Sequence, residues 1–179
     1  LYSENLFHPG SNYFVIFFDR PFEIGDFIVV DDKKGNVEHI GIKTTRVKSL
    51  TGEQLVFSNS DLTNSRIHNF KRMDRRRIVF TLGVIYQTPP LLLEKIPDIL
   101  KKIVEAQQGV TFDRAHFSKL GPSSLEYEVV YFVETSEYNP YMDLQQKINI
   151  EIFKTFAAEK IEFAYPTQTL FLTKRNKED

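Results

Sequence analysis

No cysteine occurs among the 179 residues. That absence removes disulfides, thiolate zinc ligands and cysteine nucleophiles together, and it fits a reducing compartment. An excess of either charge is also missing. Twenty-three Lys and Arg stand against 24 Asp and Glu, a net charge of −1, so no whole-molecule field favours nucleic acid or anionic lipid and any basic contact must be local. Long apolar runs are absent as well. The longest, YFVIFF at 13–18, has six residues, where a membrane-spanning helix needs about 18 or more; the sequence as it stands is predicted to be soluble. The opening LYSENLFHPGS lacks the basic and apolar regions of a signal peptide. Its Ser-Glu-Asn-Leu and Gly-Ser pieces read as a tag or cleavage-site remnant, and residues 1–11 are left out of the fold argument.

Motifs that carry chemistry are missing too. His8, His39, His68 and His116 are scattered, with no His-x-x-x-His pair and no carboxylate at ligand spacing. No Gly-x-Ser-x-Gly, GxxxxGK or GxGxxG pattern occurs. Asp31-Asp32, Glu126 and Glu128 are close in sequence, yet carboxylates two apart on a strand merely share a face, usually a solvated one. The expectation is no catalytic residue, no metal and no cofactor.

What is present is a change of periodicity. From Asp26 to Phe70, short β runs alternate with turn residues: FIVV (27–30), a turn at DDKKG, the period-two stretch NVEHIGIKTTRVKSL, then EQLVF after Thr51-Gly52. SNSDLTNS predicts a turn or a one-turn helix capped by Ser58 or Ser60, and RIHNF (66–70) a closing strand. This set is the size of a small Sm-like or SH3-like barrel. The run KRMDRRR, between Phe70 and Ile78, is taken as the link to a second domain.

Beyond it, RIVFTLGVIY (77–86) reads as a strand. Pro89-Pro90 opens a helix in which Leu92, Ile96, Ile99, Leu100 and Ile103 recur at helical spacing; Pro97 would kink it or mark its true start. AHFSKLG and SLEYEVVYFVE are strands flanking Gly121-Pro122. Pro140 opens a helix with Tyr141, Leu144, Ile148, Ile152 and Phe156 along one stripe, and FAYPTQTLFLT is extended. The order β-α-β-β-α-β is ferredoxin-like, an α+β arrangement. Tyr165-Pro166 confines the last strand to an edge, so part of it could leave the sheet and pair elsewhere. The predicted divisions are 1–18, remnant or helix stump; 19–71, the Sm-like β domain; 72–162, the ferredoxin-like domain; and 163–179, a barrel strand with a charged tail.

Five cations in seven residues, Lys71, Arg72, Arg75, Arg76 and Arg77, form a local patch that could meet phosphate. A solvated linker is the plainer reading. An RNA- or nucleotide-binding module is the alternative function, but its basic-Gly-aromatic signature is missing and Glu126 and Glu128 stand on the relevant strand. The loop QTPP lacks the arginine and glycine that an acylphosphatase-type phosphate site requires.

The pieces RPFEIGDFI (20–28), TTRVKSLTGEQLVFSNSDL (44–62), Asn69-Phe70, SLEYEVVYFVE and FAYPTQTLFL, in that order, resemble the cytoplasmic part of the mechanosensitive channel of small conductance family. The resemblance runs from Phe17 to Thr173. It implies a non-enzymatic vestibule domain, built from a homo-oligomer of usually seven subunits at the cytoplasmic face of the inner membrane. Membrane helices absent from this sequence would anchor it, and the whole protein would pass ions and small solutes under hypo-osmotic tension. By matching position, Arg20, Pro21, Phe22, Gly25 and Asp26 would join a pore helix to the β domain. Asn59, Asn69 and Phe70 would hold interdomain geometry. Arg75, Arg76 and Arg77, with Lys71 and Arg72, would set portal charge, and Leu170 and Leu172 would line an intersubunit barrel. Ser58-Asn59 replaces the family's Pro-Asn, losing one rigid residue. Tyr13–Phe18, read as a stump of the pore helix, is expected to be disordered, self-associated or packed against a neighbour.

Overall fold

The computed structural model describes residues 11–170, which divide between Asp74 and Arg75 into two compact units. The first is a short helix α1 (Ser11–Asp19), an antiparallel sheet of β1 (Phe27–Val30), β2 (Lys33–Ile40), β3 (Thr44–Ser49), β4 (Gln54–Ser58) and β5 (Ile67–Asn69), and a helix α2 (Asn59–Asn64) between the last two strands. The strand order is β4-β3-β2-β1-β5. The expected barrel is not closed by hydrogen bonds among the described residues, because β4 and β5 each have one strand neighbour. The physical reason lies at Ser58: its hydroxyl accepts from Asp61 N–H at 3.0 Å, capping α2, so the chain leaves the sheet at the end of β4.

Two turn readings change. Only Asp31-Asp32 turns between β1 and β2, with Asp31 at φ 53°. Gly35, read as a turn residue, sits inside β2, buried and paired to both Ile28 and Ser49. A Cβ there would lie 2.1 Å from the Lys48 carbonyl oxygen, so glycine serves close strand approach. The long alternating stretch breaks at 41–43 into β2 and β3.

Alternation then builds the core: Ile28, Val30, Val37 and Val47 point inward and meet Phe22, Leu62 and Ile16. Ile16 belongs to α1, so of the three expectations for Tyr13–Phe18 disorder does not hold: the segment is helical, and Ile16 is buried in its own unit. Phe18 on the outer side stays 73 % exposed.

The second unit contains β6 (Arg76–Val84), α3 (Pro90–Glu105), β7 (Val110–Leu120), β8 (Leu125–Val133) and α4 (Tyr138–Ala158). β8 lies between β6 and β7, antiparallel to both, so a βαβ crossover is split by the third strand. Leu125, Tyr127, Val129, Tyr131 and Val133 alternate along β8 and pack in one cluster with Ile96, Leu100 and Val104 of α3 and Ile148, Ile152 and Phe156 of α4. A fourth strand is not formed in the described part of FAYPTQTLFLT. It is reduced to a single bridge, Val84 to Phe163, because Pro166 cannot donate to a ladder. Leu170 is exposed, and Leu172 lies outside the described residues.

Pro97 does not begin α3; the helix runs unbroken from Pro90 to Glu105. Proline has no N–H for the carbonyl four residues back, and that carbonyl, Leu93, accepts instead from the Tyr127 hydroxyl at 2.9 Å. Burial pushes the Tyr127 hydroxyl pKa up to about 12, which keeps it a donor.

Candidate functional site

A densely connected polar group forms where α1 meets the sheet. Helix α1 ends on Arg20, whose φ is 43° and whose N–H donates to the Ile16 carbonyl at 3.0 Å. This is the left-handed helix cap usually filled by glycine, followed as is common by proline. Next, Asp26 N–H donates to the Glu23 carbonyl at 3.1 Å while the Asp26 carboxylate accepts from Glu23 N–H at 3.0 Å. Gly25, at φ 90°, supplies the conformation this reciprocal turn requires. Phe22, between cap and turn, is buried in the core.

The chain after β5 returns to this turn. Asn69 Nδ2 donates to the Pro21 carbonyl at 3.1 Å and to the Asp26 carboxylate at 2.7 Å. Its Oδ1 accepts from Lys71 N–H at 3.1 Å. The Lys71 ammonium lies 3.6 Å from Asp26, and the Arg72 guanidinium donates to the Arg20 carbonyl. Phe70 packs edge-on against Phe27. Burial alone would raise the Asp26 pKa; the bonds from Asn69 and Glu23 and the nearby Lys71 charge outweigh it and hold the carboxyl below its ordinary value of 3.8. Arg20, Pro21, Phe22, Gly25, Asp26, Asn69, Phe70, Lys71 and Arg72, which the sequence placed in three separate sets, thus meet at one junction.

Asn59 is elsewhere. Fully buried, it donates to the Gly41 and Ile42 carbonyls at 2.8 and 3.1 Å and accepts from the Thr45 hydroxyl at 2.9 Å. All three partners belong to the first unit, so its bonds fasten the β2–β3 turn to α2. Thr45 and Glu23 were missed in the sequence. The only local signal was the three-residue spacing of Glu23 and Asp26 around a glycine.

The basic run spans the division between the two units, and four of its five cations bond or stack on protein groups although most are exposed. Arg76 and Arg77 lie in β6. Arg75 stacks over Phe132 at 4.2 Å. Arg76 donates to the Ser136 carbonyl at 3.1 Å and lies over Tyr141 and Tyr138. Arg77 is exposed with no side-chain bond among the described residues. No group of three or more His, Asp or Glu suited to a metal occurs among the described residues, and no helix among them is long and apolar enough to cross a membrane.

Residues 12–72 match the family model "Mechanosensitive ion channel, beta-domain", and residues 78–163 match "Mechanosensitive ion channel MscS, C-terminal". The chain belongs to the MscS family of mechanosensitive ion channels. The small-conductance mechanosensitive channel MscMJ of Methanocaldococcus jannaschii is 36 % identical over 163 residues, covering 90 % of this chain and 47 % of the relative. The low conductance mechanosensitive channel YnaI of Escherichia coli is 30 % identical over 170 residues, covering 90 % and 49 %. This MscS-family chain therefore spans about half the length of the curated relatives it matches. Among solved structures, closed-state Helicobacter pylori MscS superposes with a TM-score of 0.75 at 21 % identity, over 94 % of this chain and 65 % of that one. Arabidopsis thaliana MSL1 gives 0.80 at 18 % identity, over 88 % and 58 %. These two likenesses establish the shared mixed α+β fold.

Proposed function

We propose that the chain forms the cytoplasmic vestibule of a mechanosensitive channel, and that in the whole protein membrane tension opens a pore whose inner helix continues into α1. The observation that carries this reading is the junction: a helix with an exposed apolar side ends in a capped turn tied into the β sheet by Asn69, Lys71 and Arg72. A flexible tether would not transmit force; a hydrogen-bonded turn does. The vestibule is non-catalytic and assembles from copies of this chain, seven by likeness to the family, at the cytoplasmic face of the inner membrane. Its openings pass ions and small solutes. The segment ending at Leu170 pairs between subunits to close a barrel, and Arg77, exposed at the start of β6, contributes portal charge. Asn59 keeps the β domain rigid enough to serve as an assembly platform.

An RNA- or nucleotide-binding role has less support, since Lys71, Arg72, Arg75 and Arg76 are already engaged with protein groups. The deciding experiment uses the intact protein reconstituted in liposomes under patch suction. Currents that open with tension are expected. Their absence up to membrane rupture, with the protein folded and inserted, overturns the reading. In active patches, Arg77→Glu should move the reversal potential in a salt gradient toward cation preference.

A further inference from the structure

We propose that the left-handed cap at Arg20 is a two-state hinge, and that Asn69 and Arg72 are the positioning residues that latch it in its bent state. Non-glycine residues avoid positive φ because Cβ crowds the following carbonyl, and such a conformation persists only where its surroundings over-determine it. At Arg20 the surroundings are identifiable. The Arg20 carbonyl receives the Arg72 guanidinium, and the next carbonyl, Pro21, receives Asn69 Nδ2 at 3.1 Å. Asn69 is itself fixed by Asp26 at 2.7 Å and by the Lys71 N–H. Both latching donors come from a segment about fifty residues downstream that is anchored by β5. The residue's own side chain adds only an exposed contact to Glu23 at 3.7 Å, which water screens.

Strain on one side and bonds on the other make a bistable element. When the latch is intact, Arg20 stays left-handed and α1 stops at Asp19. When Asn69 and Arg72 let go, Arg20 is free to return to the ordinary helical or extended region and redirect α1 relative to the sheet. The inference rests on the channel reading only for its consequence at the membrane; the hinge itself is a property of the first unit.

Two substitutions push the hinge in opposite directions. Arg72→Gln weakens the latch at an exposed position and threatens the fold little. Arg20→Gly removes the Cβ that disfavours the bent state, roughly a five-fold bias per subunit. Arg20→Ala deletes the same side chain but keeps the Cβ, so it lacks the glycine's shift. The first measurement is the distance between spin labels on Phe18→Cys of α1 and Val56→Cys of β4, both exposed positions in a chain with no native cysteine. The redirected population should grow severalfold in Arg72→Gln and shrink in Arg20→Gly. The second is the tension midpoint of the intact channel, which should move in opposite directions in the two variants at unchanged conductance. Unchanged distance distributions in both variants, or shifts of one sign in both, overturn the hinge. If the distances respond as expected while the intact protein passes no tension-gated current, the channel reading fails and the hinge stands.

Discussion

Tyr127 and Pro97 offer the sharpest test of the packing described above. Removing the Tyr127 hydroxyl as Tyr127→Phe keeps the ring, its burial and its stack on Phe117 at 5.3 Å. It deletes only the donor to Leu93. A helix carbonyl left unserved in a packed environment costs about 1–3 kcal/mol. At a urea dependence of about 1.5 kcal/mol/M, a 2 kcal/mol loss lowers the unfolding midpoint by about 1.3 M. In a Pro97→Ala background, residue 97 regains an N–H aimed at the same carbonyl, and the hydroxyl becomes a second donor; Tyr127→Phe should then cost less than about 1 kcal/mol. The four proteins of this double-mutant cycle can be compared by tyrosine fluorescence during urea unfolding. Six of the eight tyrosines lie beyond Asp74, so the signal reports mainly the second unit. Equal costs of Tyr127→Phe in both backgrounds would refute the idea that the tyrosine compensates for the proline.

Asn59→Ala deletes three side-chain hydrogen bonds in a buried position, so the first unit should lose about 2–4 kcal/mol, visible as a lowered melting temperature. Asn59→Asp should do no better, because a carboxylate cannot donate to the Gly41 and Ile42 carbonyls. Gly35→Ala places a Cβ 2.1 Å from the Lys48 carbonyl and must displace β3; faster amide exchange across β2 and β3 is expected, and unchanged exchange would count against that close approach. Asp26 gives a pH signature. Its carboxyl lies below 3.8 when folded, so below that ordinary value the unfolded chain takes up the proton first and stability falls with pH. Wild type should exceed Asp26→Asn in stability at pH 7, and the difference should shrink as pH drops through 3.8 and then through the lower folded value. A gap constant between pH 7 and pH 3 would contradict it.

Much of the molecule was legible because its signals are local. Short apolar runs bounded by turn residues placed β1 and β4, period-two alternation placed β3, and helical spacing placed α3 and α4. Ser58, one of the two serines offered as a cap, caps α2, and the switch of period near KRMDRRR separated two units, since periodicity follows directly from the geometry of helix and strand. Gly35 was misread for the converse reason: a glycine in a polar run signals a turn locally, and only the approach of β3 makes it a strand residue. Among the described residues neither a closed barrel nor a fourth ferredoxin-like strand forms, because sequence spacing says nothing about which edges meet.

The ordered motifs Arg-Pro-Phe, Thr-Thr and Asn-Phe, read together with the change of period, determined the family and the element types. Only the tertiary structure decided that Asn69, Lys71 and Arg72 close on the turn at residues 20–26, and that Tyr127 stands in for the N–H that Pro97 lacks. Both are contacts between residues thirty or more positions apart. Hydrogen-bond partners at that distance are chosen by how strands register and helices pack, and a linear pattern carries no record of that choice.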